Sequence, residues 1–560
     1  MGSPQPSEEV VFAYHERTKH HPRRYAASPP TLDWATQPDP FRRYRGAPLV
    51  SLPIALEGPP LPFWALYVPG AVAPEPLSLD SLSRFLRCAL ALTAWKRFGL
   101  STWALRANPS SGNLHPTEGY AILPRLEGVA DGPAVHHYAP REHGLERRAD
   151  LDPAVWSELM AGFPPRSFLV GLSSISWREA WKYGERAFRY CQHDTGHALA
   201  ALRFAAAMLG WQLFLLEGVG DADASRLLGL DRERDFQGAE REYPELVALV
   251  MPARTEGSAG LPGSLPAEAL RRAGAVSWHG QASTLSPAHA ADWPIIDEVE
   301  RATRATRHAG MEEDFSGSPS EEELHAPPVR SGSFDAEKVI LGRRSAVSMD
   351  GTTSVSAETF FRMLARLVPT RDRRSLPWDA IPWRPRLHLG LFVHRVRDLR
   401  PGLYALARDP ERVAPFRAGF NRPFLWRRPA GCPPGLPLYL LEEGDYQAIA
   451  AQISCGQEIA GDGAFSVAMI ADYTAAISVR GAAFYRNLFW EAGVIGQVLY
   501  LEAEEAGVRA TGIGCYFDEL VHDLFGLSPD WQSLYHFTVG GPVEDARLTT
   551  LPAYGPGAGA

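Results

Sequence analysis

A chain of 560 residues, 45% hydrophobic and 22% charged, is expected to fold as a globular protein of at least two domains, because one core rarely organises that length. The formal net charge of −9, with arginines only in short pairs such as Arg42-Arg43 and Arg427-Arg428, argues against nucleic acid or an anionic membrane as partner. Five widely spaced cysteines without a CxxC fit reduced thiols. The first ten residues show no secretory pattern and no apolar run reaches membrane-spanning length, so a cytoplasmic location is expected.

Residues 1–60 read as an N-terminal extension with no chemistry assigned to it, including the polar run Tyr14-His15-Glu16-Arg17-Thr18-Lys19-His20-His21. The first domain is placed at 61–252. Its most informative stretch runs from Arg106 through Pro109-Ser110-Ser111-Gly112-Asn113 to Pro116 and the apolar segment Tyr120–Leu123. The prolines fix φ and deny the loop regular pairing, while Gly112 lets the backbone pass close to something flat. Ser110, Ser111 and Asn113 offer donors and acceptors for the polar edge of a ring system. Read alone, the same residues also make an ordinary turn.

Further along, Trp177–Tyr190 carries the pair Lys182-Tyr183. An Ala-rich helix is expected over Glu185–Leu209, then a strand at Trp211–Leu216, a Gly218-Val219-Gly220 turn, a helix over Asp223–Leu230 and a closing strand at Leu246–Met251. His193 and His197 have an i, i+4 spacing, but two ligands do not make a metal site, and no metal is expected. Residues 253–336 turn rich in Gly, Ser, Pro and charge, as in Thr255-Glu256-Gly257-Ser258-Ala259-Gly260 and Asp314-Phe315-Ser316-Gly317-Ser318. They read as a partly disordered linker with a short helix near Ala267–Ala273, an ordered interdomain arm being the alternative.

The second domain, 337–560, repeats the order of the first. Strand-like Leu387–Val393 precedes a helix over Phe484–Ala506, a strand at Val508–Ile513, a helix over Asp518–Leu527 and a closing strand at Ser533–Val539. Leu227-Leu228-Gly229-Leu230 and Leu524-Phe525-Gly526-Leu527 end the matching helices. Two copies of one α+β domain follow.

Each copy resembles the nitroreductase fold. The Pro-Ser-Ser-Gly-Asn loop and Lys182-Tyr183 resemble those of the SagB-type flavin dehydrogenases, which oxidise azoline rings in peptides. The resemblance implies an intramolecular pseudo-dimer, sufficient as a monomer, that binds FMN. It assigns Arg106, Pro109, Ser110, Ser111 and Asn113 to the flavin loop, and Arg343, Arg344 and Ser345 to the phosphate, for which a guanidinium fork and a hydroxyl are suited. Gly512 and Gly514 are the expected backbone contact with the flavin, and Arg547 a further cation for the phosphate. The first half lacks Arg-Arg-Ser, reading Ala65-Leu66-Tyr67-Val68-Pro69-Gly70. The second lacks Ser-Ser-Gly-Asn, reading Ser375-Leu376-Pro377-Trp378-Asp379 onward. One complete flavin site per chain is therefore expected, the other being vestigial.

Lys182 and Tyr183 are the implied proton-handling pair; both side-chain types titrate near ~10 in water and need desolvation or a cationic neighbour, with Arg178 and Arg186 close in sequence. The expected activity is FMN-dependent dehydrogenation of a peptide azoline or a similar small molecule. An NAD(P)H-dependent reductase of small electrophiles and a flavin-free binding scaffold remain alternatives. Cys455, in Cys455-Gly456-Gln457, is read as structural.

Overall fold

Both halves of the chain wrap a sheet around a helix with almost no solvent face. In the computed structural model, which describes residues 6–54, 58–252, 261–289, 291–306, 315–324, 334–372 and 375–555, Ala187–Met208 is buried along its entire length. Phe484–Glu505 is buried from Phe484 to Ala503. Each of these helices is 22 residues long. Neither helix keeps a solvent face for its polar residues: Arg189, Asp194 and His197 in the first and Arg486 and Glu491 in the second are buried with the apolar ones.

Contacts divide the chain into two units that do not follow the linear halves. The first-repeat unit comprises Ser28–Met311, Ala380–Pro382 and Arg547–Ala560; the second-repeat unit comprises Met1–Ala27, Glu312–Asp379 and Trp383–Ala546. The N-terminal extension is thus split. Helix Pro6–Arg17 belongs to the second-repeat unit, where Val11 and Tyr14 are buried and His15 Nδ1 lies 3.1 Å from the Tyr485 hydroxyl. The C-terminal strand Thr549–Leu551 belongs to the first-repeat unit and pairs with Leu92–Phe98.

The expected linker differs as well. Thr255–Gly260 and Asp314 lie outside the described residues. Much of the remainder is packed structure, because short apolar sets at helical spacing find a core. Helix Ala267–Gly274 buries Ala269, Leu270 and Ala273 in the first-repeat core, and Pro294–Ala302 buries Ile296 and Val299.

The first-repeat sheet is antiparallel, in the order Leu49–Ser51, Gly144–Asp150, Ala134–Ala139, Thr117–Leu123, Phe168–Ser174, Tyr243–Met251, Gln212–Leu215. The second runs Leu438–Glu443, Gly402–Leu406, Leu387–Val393, Phe465–Asp472, Trp531–Gly540, Arg509–Ile513, also antiparallel. Six strands correspond in order, and the first sheet adds one edge strand. The helices Asp221–Leu228 and Asp518–Phe525 both end on a left-handed glycine, Gly229 at φ +73° and Gly526 at φ +59°, a conformation that L side chains adopt only with strain. The expected α+β repeat is the observed one. Among the described residues no helix is long and apolar enough to cross a membrane.

Candidate active site

Strand Ser101–Arg106 delivers the chain into the Ser-Ser loop, and Thr117–Leu123 carries it away into the centre of the sheet. Between them, Gly112, Asn113 and His115 all take positive φ (57°, 59° and 53°), so the loop is tightly folded. Its polar side chains are engaged in holding that shape. Ser110 Oγ accepts from His115 N at 2.7 Å, while Asn113 Nδ2 donates to Ala104 O at 2.9 Å, with its Oδ1 3.0 Å from His115 Nε2. Pro109 is buried; Gly112 is exposed at the tip. Arg106 points inward: its guanidinium is buried, donates to Pro40 O and lies over the Phe41 ring. Burial lowers its pKa to about 10.

Helix Ser176–Tyr183 brings Lys182 and Tyr183 to that tip, both half-buried. A Cβ placed on Gly112 would stand 2.5 Å from Tyr183 Oη and 3.2 Å from Lys182 Nζ. The glycine is required by its φ and by this contact together. Gly184 at φ +55° ends the helix directly after the pair, and Tyr190 packs edge-on against Tyr183 with ring centroids 4.5 Å apart. Arg178, on the same helix, is fully buried and donates from Nη1 to His115 O at 2.7 Å and to Glu118. It therefore clamps the loop to the helix. Glu118 in turn shares His137 with Glu146, and although burial opposes it, the hydrogen bonds that His137 makes to both carboxylates raise its pKa to about 9.

Two acids that the sequence reading passed over complete this arrangement. Asp194, in the all-buried helix, accepts from Ser111 N at 3.0 Å and from Ser111 Oγ at 3.0 Å. Burial raises its pKa to about 7, against the hydrogen bonds from Ser110 and Ser111, which favour the charged form. Glu179 is buried one helical turn before Lys182; burial, then the Asp194 charge, push its pKa well above the carboxylate range, while Lys182 and Arg178 pull it down. Asp194 was visible only as the middle of a His-Asp-Thr-Gly-His pattern. Aligning the two 22-residue helices would have found it, since Asp194 and Glu491 are both the eighth residue, two before Gly196 and Gly493.

In the second-repeat unit the Arg-Arg-Ser segment leaves helix Ala336–Gly342 and runs beside the strand Arg509–Ile513. Ser345 forms a parallel bridge with Ala510, and Thr511 Oγ1 donates to Ala346 O. Ser345 is exposed, with its Oγ 2.8 Å from Tyr500 Oη, and Tyr500 also accepts from Gly512 N at 3.1 Å. Arg343 lies over the Tyr500 ring at 5.0 Å, and Arg344 donates to the carbonyls of Leu341 and Arg343. Burial, then Arg343 and Arg509, lower the Arg344 pKa to about 10, with Glu504 opposing. Burial raises the Glu504 pKa there, and the guanidiniums of Arg509, Arg343 and Arg344 oppose that rise. Guanidiniums beside an exposed hydroxyl are donors of the kind that suits a phosphate monoester.

Gly512 lies under Tyr535, whose hydroxyl a Cβ would strike, so that glycine is explained by packing within the sheet. Gly514 follows the strand end and is half-buried. Arg547 belongs to the first-repeat unit and stacks on the exposed Phe98 ring at 5.4 Å. The structure thus brings Ser110, Ser111, Asn113, Lys182 and Tyr183 together in one unit and Arg343, Arg344, Ser345 and Gly512 in the other.

Comparison with known proteins agrees with this division. The Nitroreductase family model matches residues 71–239 and 440–541, one stretch in each repeat. A Methanocaldococcus jannaschii protein named as a nitroreductase is 29% identical over 182 residues, covering 31% of this chain and 81% of its own. A solved structure from Anabaena variabilis, named likewise, has a TM-score of 0.68 at 22% identity over 95% of this chain and 99% of that one. The fold is therefore shared along the whole of both chains.

Proposed function

We propose that this chain, which the Nitroreductase family model matches once in each repeat, is an oxidoreductase of that family and an FMN-dependent dehydrogenase. The proposed substrate is a peptide azoline or a similar small ring. The observation that carries the reading is the meeting of Lys182 Nζ and Tyr183 Oη at the Gly112 tip. Bound FMN would supply a two-electron acceptor for the substrate hydride. The protein's part is to take the proton released with it, a role this reading gives to Lys182 and Tyr183. Asp194 and Arg178 keep the loop and its catalytic pair in register, so positioning does not depend on the substrate. Arg343, Arg344 and Ser345 are the groups whose chemistry suits the FMN phosphate. The motifs of the two repeats are complementary, which supports one FMN per chain.

The test begins with the visible spectrum of the purified chain and release of its flavin. One FMN per chain, lost on Arg344→Ala and on Asp194→Leu, supports the reading; two per chain, or none after reconstitution, overturns it. Reduction of the bound flavin by a thiazoline peptide, abolished in Lys182→Ala, supports dehydrogenation. Bleaching by NAD(P)H with no response to the peptide would transfer the assignment to a reductase of small electrophiles.

A further inference from the structure

Outside the groups considered so far, the second-repeat unit holds two cysteines against each other. Cys455 lies in the turn between helices Gln447–Ile453 and Ile459–Asp462, and Cys515 follows the strand Arg509–Ile513. Their Sγ atoms are 2.7 Å apart, though the residues are 60 positions distant in sequence. The backbone on both sides is stitched in place. Phe517 N donates to Ile453 O at 2.7 Å, and Gln457 Nε2 donates to Cys515 O at 3.0 Å and to Ser454 O at 2.8 Å. Cys455 itself adopts φ +56°, a conformation that a β-carbon disfavours and that this turn imposes. The backbone that carries the two sulfurs is therefore held in place by the fold.

Both cysteines are half-buried, so a small reagent can reach them. Tyr25 stands over the pair, 51% exposed, hydrogen-bonded to Cys455 and packed on Phe517 with ring centroids 5.6 Å apart. The other three cysteines differ: Cys88 and Cys191 are buried, and the Cys432 thiol is directed to the carbonyls of Pro433 and Leu436.

We propose that Cys455 and Cys515 form a two-electron redox site, a reversible disulfide made and broken by exchange with an external low-molecular-weight disulfide. One thiolate attacks a sulfur of R–S–S–R, forming a mixed disulfide and expelling one RSH. The second cysteine attacks the protein-bound sulfur and expels the other RSH. The balance is two cysteine thiols and one RSSR giving one protein disulfide and two RSH; the cysteines are oxidised, the external disulfide reduced, and both protons leave with the departing thiols. Closing the bond ties the segment after Gly514 to the Cys455 turn and removes the thiol from its contact with Tyr25.

The experiment equilibrates the full chain with mixtures of reduced and oxidised glutathione, quenches by alkylation, and reads intact mass and peptide maps. The expected result is loss of two of the five alkylatable thiols in one transition governed by the ratio of reduced glutathione squared to oxidised glutathione. No glutathione is retained, and one cross-linked peptide pair contains Cys455 and Cys515. Cys455→Ser and Cys515→Ser should each leave the remaining cysteine carrying one glutathione. Five alkylated thiols at every ratio, retained glutathione on either cysteine in the unsubstituted chain, or a cross-link to another cysteine would overturn the proposal. These readouts do not depend on flavin.

Discussion

At the eighth residue of its central helix the first repeat has Asp194 and the second has Glu491, and both acids grip the backbone that leads into the middle of the sheet. Asp194 takes the amide of Ser111, ahead of strand Thr117–Leu123; Glu491 takes the amides of Arg386 and Leu387, at 3.1 Å each, where strand Leu387–Val393 begins. The difference lies in the third partner. Glu491 is paired with the fully buried Arg408, whose guanidinium also lies under the Trp378 ring at 4.2 Å and donates to Leu367 O and Leu387 O. Asp194 has serines instead, and its pKa rises to about 7. A shared anchor has thus become an internal ion pair in one copy and a titratable group under an exposed loop in the other. The copy whose anchor is neutralised is also the copy without the Ser-Ser-Gly-Asn loop.

The sharpest way to break this comparison is to remove the cation. Arg408→Met leaves Glu491 buried and unpaired and is expected to destabilise the second-repeat unit by about 3–5 kcal/mol, read from the urea midpoint. Adding Glu491→Gln should recover most of that loss, and a double variant no more stable than the single one would contradict the pairing. On the other side, Lys182→Ala is expected to lower the dehydrogenation rate by about 10²-fold while bound flavin stays constant, since general acid–base groups contribute at this scale. Loss of flavin in parallel would make Lys182 a binding residue. Gly112→Ala is a smaller perturbation: the left-handed φ alone costs about 1–2 kcal/mol, and displacement of Tyr183 should lower kcat with melting only slightly changed.

The mildest expected effect sharpens the comparison. Burial raises the Asp194 pKa from its ordinary 3.8 to about 7, so the native state holds an extra proton between those values. Stability should therefore fall as pH rises through that window, by up to about 1.4 kcal/mol per pH unit, and level off above pH 7. Asp194→Asn should flatten this slope, as seen by chemical denaturation at pH 5, 6, 7 and 8. An unchanged slope would show that another group sets it.

The repeat and the two long helices were legible in the amino-acid sequence because apolar periodicity and glycine stops act locally: Gly229 and Gly526 end their helices wherever the rest of the chain goes. Lys182-Tyr183 and the Pro-Ser-Ser-Gly-Asn loop stand out in the sequence as contiguous motifs. What only the tertiary structure decided is which of those groups meet and which are enclosed. The loop serines look outward on paper, yet Ser111 turns to Asp194, because a buried carboxylate must find donors and the nearest are on that loop. Arg106 sits beside the motif in sequence and is folded inward against Pro40 and Phe41. Both chain termini join the unit of the other half, since helix Pro6–Arg17 and strand Thr549–Leu551 are too short to carry cores of their own. Cys455 and Cys515 are separated by three helices and two strands, and no local pattern announces their contact; it exists because the sheet returns Arg509–Ile513 to the turn where Cys455 waits. Periodicity is a property of neighbours in sequence, whereas burial, pKa and long-range pairing are properties of neighbours in space.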